Sequence, residues 1–113
     1  MSRPKHVVLS GFMATGKSTV GALVAETLGL PFVDTDAVMA KAANKPVGEI
    51  FASEGEARFR DREAAIILPL LASADRKVIA FGGGAITMPR VRHAALEAAT
   101  LITLTSSPEV IAA

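Results

Sequence analysis

Residues 11–18 read GFMATGKS and decide the fold, because they fit the pattern G-x-x-x-x-G-K-[ST] at every fixed position. The apolar run Val7–Leu9 before them predicts a buried strand, and a helical pattern begins at Lys17. Glycines let backbone N–H groups converge on phosphate oxygens, and the helix start adds a favourable dipole. Lys17 would offset β- and γ-phosphate charge and Ser18 would offer a hydroxyl to Mg²⁺, which predicts a nucleoside triphosphate site. The alternative is a glycine-rich turn with a solvated lysine.

The segments that follow this motif alternate between short apolar strands and helical patterns. Such alternation predicts parallel pairing through right-handed crossovers, so we expect an α/β domain with helices flanking a parallel sheet. The first helix should end at Gly29, and Pro69 should end or kink a later one. Further strands are expected at 30–33, 77–81 and 101–104, and further helices from Ala37, over 47–51, 56–68 and 91–99, and from Ser107-Pro108.

Composition restricts the class of protein. The 113 residues suffice for a single core, and the absence of cysteine excludes a disulfide framework and a thiolate zinc site. A net charge of +1 without Trp or Tyr argues against a nucleic-acid partner. The longest apolar run, Ala64–Ala72, is far shorter than the roughly 20 residues of a membrane helix, so no membrane partner is expected. Because no signal peptide is visible, a cytoplasmic protein is expected.

Two aspartates, Asp34 and Asp36, follow the second predicted strand. Side chains two apart on an extended strand project from one face, and the carboxyl ends of parallel strands gather at the ligand-binding edge of a sheet. The third strand, where P-loop proteins often carry a magnesium-ordering aspartate, ends here in three glycines. Asp34 is therefore expected to take that role. Asp36 could instead be only an N-cap for the following helix.

The triplet Gly82-Gly83-Gly84 ends the third predicted strand. A tight turn with positive φ explains one or two glycines, whereas close approach of a ligand to bare backbone explains three. A plain turn between strand and helix remains the alternative.

A run of mixed charge extends from Glu54 to Glu63. The pairs Glu54–Arg58 and Glu56–Arg60 have the i,i+4 spacing of ion pairs on a helix, which favours a solvated face. The alternative is functional, because a planar guanidinium in this run could bind both oxygens of a carboxylate substrate.

In combination, these motifs resemble the shikimate kinase family. The resemblance rests on GFMATGKST at 11–19, Asp34-Thr35-Asp36 after LPFV, GEARFRDRE at 55–63 and GGGA from Gly82. It covers essentially the whole chain, and the combination is far more specific than the first motif alone. The resemblance implies a single P-loop kinase domain over residues 1–113, which transfers the γ-phosphoryl group of ATP to the 3-hydroxyl of shikimate with Mg²⁺.

The resemblance also implies roles for individual residues. Asp36 would hold the shikimate hydroxyls and Arg60 its carboxylate, while Asp34 would lie near the magnesium and the attacking hydroxyl as orienter or base. Lys17 would be catalytic beside Asp34. Backbone contacts to shikimate are implied for Gly82, Gly83 and Gly84. Contacts to the ATP phosphates are implied for Gly11, Ala14, Thr15, Gly16, Lys17, Ser18 and Thr19.

The family continues past the fourth strand into an arginine-bearing lid and a fifth strand, in the sheet order 2-3-1-4-5. Both are expected to be missing here, so the chain is expected to be truncated, impaired in catalysis and prone to self-association through strand four. A complete family member is expected to be a monomer. The alternatives are another small-molecule kinase such as a gluconate kinase, or a nucleotide-binding module without catalysis.

Overall fold

The computed structural model of the chain describes residues 5–11, 17–82 and 84–104. The helix start expected at Ser107-Pro108 lies outside these ranges. Strands and helices alternate in chain order, with one short 3₁₀ helix at Ala85–Thr87. The strands are β1 (His6–Ser10), β2 (Phe32–Asp34), β3 (Val78–Ala80) and β4 (Ala99–Thr103), and the helices are α1 (Lys17–Leu28), α2 (Thr35–Ala43), α3 (Val47–Glu54), α4 (Glu56–Ala72) and α5 (Pro89–Ala98).

The four strands form one parallel sheet in the order β2-β3-β1-β4. In the central ladder Val8 pairs with both Ile79 and Leu101. The predicted α/β class and the first four places of the predicted strand order are therefore confirmed.

Alternate residues of β1 supply the two faces of the sheet with apolar side chains. Val7 and Leu9 pack with α1 residues such as Ala25 on one face. Val8 packs on the other face with buried side chains of α4 and α5, including Ile67. Successive side chains of a strand point to opposite faces of the sheet, so an apolar strand needs cover on both faces. The helices provide it in two layers.

Pro69 lies inside α4, which continues to Ala72. The expectation that this proline ends the helix is therefore wrong. It stands in the last turn, where its missing N–H removes a single intrahelical bond. Buried Leu71 and the partly buried Leu68 and Leu70 pack against the core there, which holds the last turn helical.

The carboxyl ends of the parallel strands meet at one edge of the sheet. β1 ends there at Ser10 and is followed by Gly11, whose φ of 144° is one that residues other than glycine rarely adopt. β2 ends at Asp34 and β3 leads into Gly82 at the same edge. No helix within the described ranges is long and apolar enough to cross a membrane.

Candidate functional site

The junction between β2 and α2 places both aspartates at this edge. Asp34 is the N-cap of α2, and its Oδ1 accepts hydrogen bonds from the backbone N–H groups of Asp36 (3.0 Å) and Ala37 (3.3 Å). The helix begins at Thr35, two residues earlier than expected. The alternative interpretation, in which Asp36 is only the N-cap of this helix, is therefore wrong, since Asp34 is the N-cap. Asp36 lies in the first helical turn, so the two carboxylates do not share one face of an extended strand.

A cavity of about 320 Å³ opens beside Asp36. Residues from α2, α3 and α4 and the glycine segment line it, which brings three of the predicted site residues together: Asp36, Arg60 and Gly84. Its other lining residues are Val47, Gly48, Phe51, Phe59 and Glu63. A small molecule with an anionic end and polar substituents suits a cavity that combines a guanidinium, a carboxylate and an apolar wall.

Arg60 and Glu63 form an ion pair at this cavity. Arg60 Nη1 donates to Glu63 Oε1 over 2.7 Å. The Glu63 side chain is 1% exposed, and among the described residues its Oε2 has no hydrogen-bond partner. Burial raises the pKa of Glu63, and the charge of Asp36 adds to the rise, whereas the hydrogen bond and charge of Arg60 oppose it. The arginine is thus held by a buried carboxylate.

The aromatic wall of the cavity also contacts this arginine. The Phe51 and Phe59 rings pack edge to face with centroids 5.2 Å apart. Arg60 Cζ lies 5.3 Å from the centroid of the Phe59 ring, a cation–π distance. The guanidinium is thus in contact with an aromatic ring as well as with a buried carboxylate.

Of the two ion pairs predicted in the charged run, one forms and the other does not. Glu54 pairs with Arg62 over 2.6 and 2.9 Å rather than with Arg58, and the hydrogen bond from Arg62 lowers the pKa of Glu54. The predicted Glu56–Arg60 pair is confirmed, with Arg60 Nη2 3.9 Å from Glu56 Oε2. The predicted Glu54–Arg58 pair is therefore wrong, because Gly55 separates Glu54, at the end of α3, from α4. The solvated-face interpretation holds for Arg62 and not for Arg60.

The glycine segment lies directly against these side chains. A Cβ on Gly82 would be 2.5 Å from Asp36 Oδ1 and 2.7 Å from Glu63 Oε2. A Cβ on Gly84 would be 2.7 Å from Arg60 Cζ. Neither glycine has a positive φ, so close approach rather than a special turn explains them. The approaching groups are the protein's own side chains, and Gly83 lies outside the described residues.

The predicted phosphate site lies partly outside the described residues. Ala14, Thr15 and Gly16 belong to that part, whereas α1 begins at Lys17 as expected and Thr19 is exposed in its first turn. The strand and helix that flank the motif are therefore in the arrangement that a phosphate-binding loop requires.

Magnesium was expected at Ser18 and Asp34. No group of three or more potential ligand side chains occurs within the described ranges. Mg²⁺ usually takes one or two carboxylates together with substrate phosphates and water, so a dedicated cluster is not needed. Asp34 supplies a carboxylate at the edge of the sheet where β1 also ends, and this donor chemistry fits the ion.

Sequence reasoning missed Glu63, Thr35 and the apolar wall of the cavity. A signal existed for Glu63, since it occupies the same helical stripe as buried Phe59, Ile67 and Leu71. An acidic residue on an apolar stripe indicates a buried partner. No comparable local signal marked Thr35, whose hydrogen-bond partners are distant in the sequence.

Comparison with known proteins gives one family. Residues 13–113 match the family described as shikimate kinase. A shikimate kinase of Geobacter sulfurreducens is 47% identical over 107 residues, which are 95% of this chain and 59% of that protein. The structure of a shikimate kinase from Acinetobacter baumannii in complex with shikimate has a TM-score of 0.87 and 34% identity, covering 94% of this chain and 59% of that one.

A gluconokinase from Sinorhizobium meliloti 1021 has a TM-score of 0.57 at 24% identity, over 98% of this chain and 63% of that chain, and therefore shares the fold alone. The chain spans about three fifths of the length of the shikimate kinases that it matches. With the predicted motifs, the sheet order and the matched residues in agreement, the chain belongs to the shikimate kinase family.

Proposed function

We propose that residues 1–113 form one P-loop kinase domain that binds Mg²⁺·ATP and shikimate, and that the protein transfers the γ-phosphoryl group to the shikimate 3-hydroxyl. The observation that carries this proposal is the cavity that joins Asp36, Arg60 and the glycine segment at the carboxyl edge of the sheet. That edge is also where the phosphate-binding motif follows β1.

The cavity chemistry supports shikimate as the acceptor. Shikimate is a small ring with one carboxylate and three hydroxyls. Arg60 bonds Glu63 through Nη1, and a guanidinium has further N–H donors for a substrate carboxylate. Asp36 can accept hydrogen bonds from hydroxyls. The backbone at Gly82 lies close to Asp36, and the backbone at Gly84 lies close to Arg60, because neither glycine carries a side chain.

The proposed binding of ATP rests on the motif at residues 11–18. Gly11, Ala14, Thr15, Gly16 and Thr19 would offer backbone groups to the ATP phosphates, and Lys17 would offset their charge. Ser18 and Asp34 would hold Mg²⁺, which when bound neutralises phosphate charge. Asp34 Oδ1 is already engaged by two backbone N–H groups, so this carboxylate is fixed in position for orienting the attacking hydroxyl.

The proposal is tested by measuring shikimate and ATP affinities separately by calorimetry. Asp36→Asn and Arg60→Lys should weaken shikimate binding about tenfold or more and leave ATP binding unchanged, because they alter groups that face only the acceptor. Arg62→Lys is the matched control, since Arg62 makes an exposed pair on the same helix. Equal losses for both ligands, or a lower melting temperature alone, would reject these roles.

A further inference from the structure

The hydroxyl of Thr35 joins the first turn of α2 to the end of β3. Its O–H donates to the carbonyl oxygen of Ala80 over 3.2 Å, and its oxygen accepts from the N–H of Gly82, also over 3.2 Å. The side chain is fully buried. The hydroxyl thus acts both as a donor and as an acceptor. Its two partners, Ala80 and Gly82, belong to one backbone segment and lie 45 and 47 residues away in the sequence.

This side chain takes the place of the next rung in the ladder between β2 and β3. In that ladder the Val78 N–H donates to the Pro31 carbonyl over 2.9 Å, and Asp34 pairs with Ala80. Hydrogen bonds of a parallel ladder recur every two residues, so the series leads to residues 35 and 82. Because Thr35 is the first residue of α2, β2 has ended there and the hydroxyl replaces the missing strand acceptor.

The position of Gly82 matters because there is no room for a side chain at this residue. A Cβ there would approach Asp36 and Glu63 to within 2.7 Å, so the glycine backbone is packed against both carboxylates. On its other side Phe81 N–H donates to the Leu9 carbonyl over 2.9 Å, which fixes the preceding residue to β1. At Gly82 itself, the Thr35 hydroxyl binds the N–H, and the carbonyl oxygen accepts from the Ala85 N–H over 3.1 Å.

We infer that Thr35 is a positioning residue for acceptor binding. Its hydroxyl fixes the distance between the glycine backbone and Asp36, the residue that follows it in the chain. Without it the Gly82 N–H and the Ala80 carbonyl would be buried without this partner, and the segment would shift to find another. The inference rests on the proposed function for its effect on shikimate, and on geometry alone for its effect on Gly82.

The test compares Thr35→Val, which removes the hydroxyl at nearly constant shape, with Thr35→Ser, which keeps it. Thr27→Val is the matched control, because the Thr27 hydroxyl bonds a backbone carbonyl on the exposed side of α1. Two quantities are measured on the chain: hydrogen exchange of the Gly82 amide by NMR, and affinities for shikimate and ATP by calorimetry. Thr35→Cys, with a weakly bonding thiol, is used if Thr35→Val does not fold.

We expect Thr35→Val to exchange the Gly82 amide about tenfold faster and to bind shikimate about tenfold more weakly, with ATP affinity unchanged. Thr35→Ser should restore both values, and Thr27→Val should change neither. Wild-type protection of Gly82 in Thr35→Val or Thr35→Cys, or wild-type shikimate affinity in Thr35→Val, would overturn the inference. A wild-type chain that binds no shikimate would count against the proposed function only, and the Gly82 amide would still decide the role of the hydroxyl.

Discussion

Gly84→Ala should weaken shikimate binding by displacing the neighbouring Arg60 side chain. Gly84 has φ −105° and ψ 2°, which alanine adopts, so the backbone contributes little cost. The new Cβ would lie 2.7 Å from Arg60 Cζ, and ordinary contact begins at 3.4 Å. The guanidinium must therefore retreat by about 0.7 Å or more, away from the 2.7 Å bond that it donates to Glu63.

The expected loss of shikimate affinity follows from the hydrogen bonds that a displaced Arg60 could no longer make. A hydrogen bond to a charged group contributes about 1.5–3 kcal/mol, so loss of the arginine from its position should weaken shikimate binding about thirtyfold. The unfolding free energy should also fall, by about 1–3 kcal/mol, because the buried Glu63 carboxylate would lose the hydrogen bond from Arg60.

Calorimetry on Gly84→Ala, Arg60→Ala and the double variant forms a cycle that isolates the coupling. If Gly84 only leaves room for the guanidinium, then Gly84→Ala should cost nothing once Arg60 is gone. An equal loss of shikimate affinity in both backgrounds would refute this reasoning, and would assign the effect to the glycine backbone itself.

Three further predictions concern other parts of the chain. Lys17→Ala should abolish ATP binding while circular dichroism stays unchanged, because the ammonium offsets phosphate charge; unchanged affinity in a folded variant would contradict the phosphate site. Because the pKa of Glu63 is raised from 4.5, its ionised form costs stability, so the unfolding free energy should decline from pH 4.5 up through the raised folded value. Glu63→Gln should remove this decline in the unfolding free energy, measured by urea unfolding at several pH values. A pH profile identical to that of the wild type would contradict the prediction. Gly48→Ala should raise the unfolding free energy by about 0.5–1 kcal/mol, since a Cβ on this helical glycine meets nothing within 4 Å; a lower melting temperature would show a contact that the space around Gly48 does not indicate.

The junction at residues 34–37 shows where sequence reasoning was limited. The pattern predicts a helix from Ala37 with Asp36 as the aspartate that could cap it, but the other aspartate is the N-cap. Asp34 takes this position because α2 begins at Thr35, which leaves Asp36 to face the cavity. Helix starts are poorly fixed by pattern, since neighbouring residues can often cap equally well and tertiary packing chooses between them.

Features of this protein that depend on local pattern could be predicted from the amino-acid sequence. Apolar runs and helical stripes were enough to predict an alternating α/β domain, and the GFMATGKS motif predicts a phosphate-binding loop. These features could be predicted because the period of apolar side chains and the turn residues depend only on residues that are close together in the sequence. The roles of Asp36, Arg60 and the glycines come from the family resemblance and stay predictions.

Contacts between groups that are distant in the sequence could not be predicted and are seen in the fold. The pairing of Asp34 with Ala80 brings the Thr35 hydroxyl to Gly82, and the packing of α4 turns Glu63 towards both Asp36 and Arg60. Periodicity tells which face of an element is apolar, but not which residue of another element that face will contact. That choice is made by strand register and helix packing, which satisfy buried polar groups over separations of more than 40 residues.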